Sequence, residues 1–236
     1  MNSDLPKVLV PVCGRPMIDY VLDLLAKAGI ERSVVVVGYR ANDVQRALSA
    51  RRGIKLALQA EQRGTGHAVM SAREHLVGYE GPVLVVAGDS PLMQSDSIRT
   101  LLAEFDRSRP ACILGTGTKQ DPRGLGRIVR DGNAKFVGIV EEKDATPEQK
   151  QIHEVNLSCY VFNCRDLLDA LDGIRSDNAQ GEYYLTDCPA VLLAAGKRVV
   201  ALNVLKPCEA LSINTMEDLV AVEAAMREMA SGGERS

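Results

Sequence analysis

One acid is placed where chemistry can happen. In Val83-Leu84-Val85-Val86-Ala87-Gly88-Asp89-Ser90-Pro91-Leu92 a run of apolar, β-branched residues ends in a small-small-acid turn and then a proline. The run predicts a strand buried on both faces. In open α/β sheets ligands bind just beyond the carboxyl ends of such strands. A carboxylate at Asp89 is therefore well placed to hold a divalent cation against phosphate oxygens. The competing role is structural: Asp89 could cap the helix expected from Ser95, or brace the turn.

Other residue types in the chain suit the same chemistry. Lys7, in Asp4-Leu5-Pro6-Lys7-Val8-Leu9, follows a proline that fixes the chain direction. Its point charge could neutralise a phosphate, or simply be solvated. Gln59-Ala60-Glu61-Gln62-Arg63-Gly64-Thr65-Gly66-His67-Ala68 follows a strand and opens a helix. Its glycines allow close backbone approach, and the Gln59 amide offers donor and acceptor together to a base edge. Thr65 can cap the helix, whose N-terminus attracts anions. His67 is either a packing or capping residue or a catalytic base, and His75 and His153 share no metal-ligand spacing with it. Glu141-Glu142-Lys143-Asp144 is either a solvated loop or, because it abuts a strand end, a receiver of a sugar hydroxyl. Asn156 opens the next strand and could do the same. Tyr183 and Tyr184 either pack over the lobe built by the second half or anchor the core. Asn214 precedes the last helix and could complete a metal site with Asp89 or cap that helix.

Composition narrows the class. With 236 residues, 46% hydrophobic and 25% charged, one large domain or a domain with a small lobe is expected. A net charge of −3 argues against a nucleic-acid partner, as does the absence of Trp with only three Phe. The six cysteines are scattered without a C-x-x-C pair, which reads as reduced thiols in a cytoplasmic protein. No apolar run is long enough to span a membrane, and no signal-peptide pattern opens the chain.

The elements that must position these residues alternate. Helices are expected over 17–27, 43–48, 67–76 and 95–106, and strands over 33–37, 54–58, 83–87 and 111–116. That succession predicts a parallel, doubly wound sheet. Beyond it, 126–130 and 136–140 read as a hairpin with Asp131-Gly132 near its turn. A strand over 155–162, helices over 167–171 and 185–195, a strand over 198–204 and a closing helix over 215–229 follow. Residues 1–230 form one unit, and 231–236 read as a flexible tail. No hexapeptide repeat occurs, so no left-handed β-helix is expected.

Taken in order, SDLPKVL, LQAEQRGTGHA, AGDSPL, GLGRI, VEEKDAT, EVN, NAQGEYYLTD and IN resemble the bacterial N-acetylglucosamine-1-phosphate uridyltransferases, from Ser3 to about Asp218. The resemblance implies a doubly wound, mostly parallel, Rossmann-like nucleotidyltransferase fold of glycosyltransferase-A type with a small mixed sugar-binding lobe. It implies that Lys7 touches the nucleotide phosphates and that Gln59, Gly64 and Thr65 read uridine, with Ala87, Gly88 and Asp89 beside the nucleotide. Ala87 stands where the family often carries an aromatic residue. The resemblance further implies that Asp89 and Asn214 ligate a catalytic Mg²⁺, and that Gly126, Glu141 and Asn156 hold the N-acetylglucosamine moiety. UTP and N-acetylglucosamine 1-phosphate are the implied substrates, and a homo-oligomer is left open.

The start of the chain departs from the family. Its members carry a first strand and a Gly-rich stretch of the type LAAGxGTRM directly before SDLPKVL, whereas here Met1 falls where that motif's methionine stands. The loop whose amides would cradle a triphosphate is missing, and so is an interior strand. Two unpaired rows of backbone groups are the expected consequence. A misplaced start codon or a truncated chain would explain this, and in-frame codons upstream of Met1 encoding an AAGxGTR-like segment are the expected finding. No acetyl transfer is expected. Two other functions stay open: a nucleotidyltransferase for another sugar phosphate or nucleotide, and a non-catalytic sugar-nucleotide binding protein. The whole account requires Asp89 and Asn214 to come within reach of one ion.

Overall fold

The computed structural model describes residues 4–232. A short hairpin, β1 (Pro11–Val12) and β2 (Arg15–Pro16), leads into helix α1 (Met17–Lys27). The hairpin turns on Cys13 and Gly14, both at positive φ, as a two-residue turn of this hand requires. Then come β3 (Ser33–Val37), α2 (Ala41–Leu48), β4 (Ile54–Leu58), α3 (Thr65–Ser71), α4 (Arg73–Leu76), β5 (Pro82–Val86), α5 (Ser95–Ser108) and β6 (Cys112–Thr118). The second half holds β7 (Arg127–Arg130), β8 (Phe136–Val140), β9 (Glu154–Asn163), α6 (Cys164–Gly173), α7 (Cys188–Ala194), β10 (Val199–Asn203) and α8 (Met216–Gly232).

The chain is an α/β protein with helices on both faces of a sheet. Strand periodicity builds the two faces. On β6, Ile113 enters the core under α1, α2 and α5, while Cys112 and Leu114 enter the core under α4, α6 and α7. On β9, Val155, Leu157, Cys159 and Val161 face the first core, and Tyr160 and Phe162 the second. A smaller apolar cluster of Val10, Val12, Met17, Leu92, Ile213 and Val222 seats α8 against the first hairpin.

The sheet is mixed. β10 pairs with β6 in parallel, but β9 is antiparallel to β6, to β5 and to β7, and β7 is antiparallel to β8. Strands β5, β6, β7 and β10 therefore share one direction, as a mostly parallel reading expects, with β9 threaded among them in reverse. β3 and β4 form a separate parallel pair. Among the described residues β3 pairs with β4 alone and β5 with β9 alone, so each presents an edge without a strand neighbour. This corrects the expectation that 83–87 would be buried on both faces: Pro82 is exposed and Val83–Val86 are half-exposed.

The hairpin of β7 and β8, the closing helix and the strand over 198–204 stand where their patterns placed them. The helix expected over 67–76 begins at Thr65 and breaks at Ala72 into α3 and α4. The one expected over 185–195 opens as a 3-10 turn, Leu185–Asp187, before α7 starts with Pro189 in its first turn. α8 reaches Gly232, two residues into the expected tail, and the remaining tail residues lie outside the described ones. No helix among the described residues is long and apolar enough to cross a membrane.

Ile113 is fully buried in the first core. Ile113→Ala should lower unfolding stability by about 2–5 kcal/mol, read from the urea midpoint, because it leaves a cavity between sheet and helices.

Candidate active site

The expected metal ligands converge. Asp89 lies three residues beyond β5, Asn214 lies two residues before α8, and Lys7 sits in a short 3-10 turn, Lys7–Leu9. The Lys7 ammonium donates to Asp89 Oδ2 at 2.5 Å and to Asn214 Oδ1 at 2.7 Å. Both oxygens thus lie close enough to one cationic nitrogen to share a single ion. The backbone enforces this meeting, since the Ile213 N–H reaches the Asp89 carbonyl at 3.4 Å. Asp89 does not cap α5, which begins after Gln94 without a side-chain cap. Nor does Asn214 cap α8. Thr215 Oγ1 accepts the Asp218 N–H, while Asp218 Oδ2 accepts the N–H groups of both Asn214 and Thr215. That reciprocal arrangement fixes the start of α8 and leaves the Asn214 amide oxygen for Lys7.

A second carboxylate locks the surroundings. Glu209 is 2% exposed, in the 3-10 turn Pro207–Ala210. Its carboxylate accepts from the Gln94 N–H at 2.8 Å, the Ser97 hydroxyl at 2.7 Å and the Lys206 N–H at 2.7 Å. It thereby ties the loop after Asp89 to the segment that leads to Asn214. No sequence motif marked Glu209, because an isolated Glu in a loop usually faces solvent.

The Gln59 loop forms a second cluster. The Gln59 N–H donates to Val37 O at 2.7 Å, which extends the β3–β4 ladder by one residue. Its side-chain nitrogen reaches the Gly64 carbonyl at 3.1 Å and stands 3.1 Å from His67 Nδ1. Thr65 Oγ1 accepts the Leu185 N–H at 3.1 Å, so its hydroxyl joins two segments and does not cap α3. The glycines of this loop have a packing reason. At Gly64 the backbone has φ +103°, and a Cβ there would stand 2.5 Å from the Tyr183 carbonyl. Gly66 donates its N–H to that same carbonyl at 2.7 Å, and Tyr183 N–H returns to Arg63 O at 2.8 Å. The Tyr183 backbone is thus pressed into the Gly64–Gly66 turn, with the Arg63 guanidinium 5.1 Å from the Tyr183 ring centre. The expectation that Tyr183 would merely pack over a lobe misses this backbone role. Tyr184 is buried, its hydroxyl accepting from Gln180 Nε2 at 2.8 Å.

Gly126, Glu141 and Asn156 also come together. The Asn156 N–H donates to Gly126 O at 2.9 Å. A Cβ placed on Gly126 would lie 3.6 Å from Glu141 Oε1 and 3.6 Å from the Asn156 side chain. Asn156 owes its place to an irregularity in β9. Pairing with β6 jumps from Gly115–Cys159 to Thr116–Asn156, which leaves Leu157 and Ser158 unmatched and Ser158 at φ +53°. Because β9 runs antiparallel to β5, its start lies beyond the carboxyl end of β5, on the edge that carries Asp89. The Thr186 hydroxyl donates to Glu141 Oε1 at 2.8 Å, one residue on from the Leu185–Thr65 bond.

This third cluster is acidic. Burial pushes the Glu141 carboxyl up, against the lowering effect of the Thr186 hydroxyl. Asp187 rises from the ordinary 3.8 to about 6, first through burial and then through repulsion from Glu141, Asp144 and Asp177. A carboxyl raised in the folded state keeps a proton that the unfolded chain has released. Its effect is absent below the unfolded value, destabilises progressively as pH climbs from 3.8 to about 6, and is constant above. Asp187→Asn removes that loss. Urea unfolding of the variant and the parent should therefore diverge, in favour of the variant, between about pH 4 and about pH 6 and stay parallel beyond.

Residues 1–185 match the family model described as a MobA-like NTP transferase domain. The chain is 45% identical over 227 residues to the bifunctional protein GlmU of Pelotomaculum thermopropionicum, covering 96% of this chain and 49% of that protein. It is 43% identical to the bifunctional protein GlmU of Syntrophotalea carbinolica, over 96% and 48% of the two chains. The chain thus spans about half the length of these relatives. Among solved structures, UDP-glucose pyrophosphorylase complexed with UDP-glucose superimposes with a TM-score of 0.75 at 16% identity, over 95% of this chain and 91% of that one. This likeness shows the fold. Matched over most of its length, the chain belongs to the family of MobA-like NTP transferase domains and is a nucleotidyltransferase.

Proposed function

We propose that this chain transfers UMP from UTP to N-acetylglucosamine 1-phosphate, giving UDP-N-acetylglucosamine and pyrophosphate. The observation that carries the reading is the meeting of Asp89 and Asn214 on one nitrogen of Lys7. A carboxylate and an amide oxygen are hard donors of the kind Mg²⁺ takes, and the ammonium between them already stands in for a cation. Asp89 and Asn214 would hold Mg²⁺, which when bound would supply charge neutralisation at the reacting phosphates.

The reaction needs alignment more than acid–base help. An oxygen of the sugar phosphate forms a bond to the α-phosphorus as the bond from that phosphorus to the bridging oxygen breaks, and pyrophosphate leaves. The attacking oxygen is already anionic, so no general base is required. Gly126, Glu141 and Asn156 hold the sugar at the sheet edge that carries Asp89, and Gln59, Gly64 and Thr65 hold the base. Lys7, released from Asp89 and Asn214, offsets the charge that gathers on the five-coordinate phosphorus. The motifs LQAEQRGTGHA and NAQGEYYLTD, which resemble those of the N-acetylglucosamine-1-phosphate uridyltransferases, support this choice of substrates over other sugar phosphates.

Pyrophosphate release, measured across a panel of nucleoside triphosphates and sugar 1-phosphates, tests the reading. The expected best pair is UTP with N-acetylglucosamine 1-phosphate. Binding of UDP-N-acetylglucosamine without any pyrophosphate release would replace the reading with a non-catalytic binding protein. Asp89→Ala should cut turnover by about a hundredfold or more with the far-ultraviolet circular dichroism unchanged. Normal turnover in that variant removes Asp89 from the mechanism.

A further inference from the structure

We propose that His67 is a positioning residue for base selection. It locks the Gln59 side-chain amide with its oxygen outward, so that the site accepts a base presenting an N–H and rejects one presenting a lone pair. The inference rests on the reading above that Gln59 faces the base of the nucleotide.

The argument is one of donors and acceptors. The Gly64 carbonyl has no proton to give. It accepts the Ala68 N–H at 3.1 Å and the Gln59 side chain at 3.1 Å, which uses both its lone pairs. An amide oxygen turned towards it would be repelled, so the Gln59 group facing Gly64 is the nitrogen. That same nitrogen stands 3.1 Å from His67 Nδ1. Since the amide nitrogen only donates, Nδ1 must accept, and the imidazole proton sits on Nε2. Both amide hydrogens are then committed, one to Gly64 and one to His67. Gln59 Oε1 accepts no hydrogen bond from any described residue, and it is the polar atom left to meet a ligand.

The imidazole is itself well held. His67 lies in the first turn of α3, where its backbone carbonyl accepts the Ser71 hydroxyl at 2.9 Å, and its ring is tilted 32° against Tyr183 at 6.4 Å between centres. Tyr183, whose backbone fills the Gly64–Gly66 turn, thus also borders the histidine with its ring. A fixed acceptor suits the imide N3–H of uracil. It opposes cytosine, whose N3 is an acceptor at the same position. With His67 gone, Gln59 keeps one anchor of two and its amide can swing to offer N–H instead.

Dissociation constants of UTP and CTP, measured by titration calorimetry in Mg²⁺ for the parent chain, His67→Leu and His67→Asn, test the proposal. The parent should prefer UTP. His67→Leu, which has no acceptor, should lower the CTP-to-UTP ratio by about tenfold. His67→Asn, whose Oδ1 can accept from nearly the same place, should keep most of it. A folding defect would change the binding-competent fraction but not this ratio. Equal ratios in the parent and His67→Leu, or no preference in the parent, would overturn the proposal. So would a long-range ¹H–¹⁵N spectrum of the parent that puts the His67 proton on Nδ1. Pyrophosphate release reads the transfer reaction separately, so a chain that selects UTP without turning it over would sink the reaction and leave this inference standing.

Discussion

A single ammonium nitrogen joins three stretches of chain that are far apart in sequence. Lys7 comes from the first ten residues, Asp89 from the turn after β5, and Asn214 from the approach to α8. A half-exposed ion pair of this kind contributes little to stability, on the order of 0–1 kcal/mol. It therefore reports a meeting that other forces impose. Those forces are visible: the carboxylate of Glu209 buried among three donors, the Ile213–Asp89 backbone bond, and the Asp218–Thr215 pair that starts α8. Under them lies the small apolar cluster of Val12, Met17, Leu92, Ile213 and Val222, which presses the last helix onto the first hairpin.

Much of this was legible in the residues themselves. The segments 155–162 and 111–116 read as strands, and the structure splits their side chains between two cores. The small-small-acid turn after 83–87 located Asp89 correctly at a strand end. What could not be read was direction and pairing. Nothing in Val155–Phe162 states that it runs antiparallel between β5 and β6, because an apolar strand suits either orientation. The offset at Leu157–Ser158 is equally silent, since an inserted pair is recognised only against its partner strand.

The side chains of the site show the same division. Residue type indicated that Asp89, Asn214 and Gln59 could bind something, and it offered capping as an equal alternative for the first two. The structure removes the capping alternative for both, supplying other residues for one cap and none for the other. Glu209 and the Tyr183 backbone escaped notice because each acts through a partner more than a hundred residues away or through main-chain atoms that carry no type, and Thr186 because its partner, Glu141, lies 45 residues away. The one available hint was steric. A Gly-Thr-Gly turn with glycine at a left-handed backbone position implies that another piece of backbone lies against it.

Two neighbouring residues, Leu185 and Thr186, reach different clusters of the candidate site. One reaches the Gln59 loop through Thr65 and the other reaches Glu141. A peptide link of fixed length therefore joins the Gln59 cluster to the Glu141 cluster as a rigid spacer. Remodelling one cluster pulls on the other, so a change of ligand at either would have to be accommodated at both, through compensating changes along 182–187.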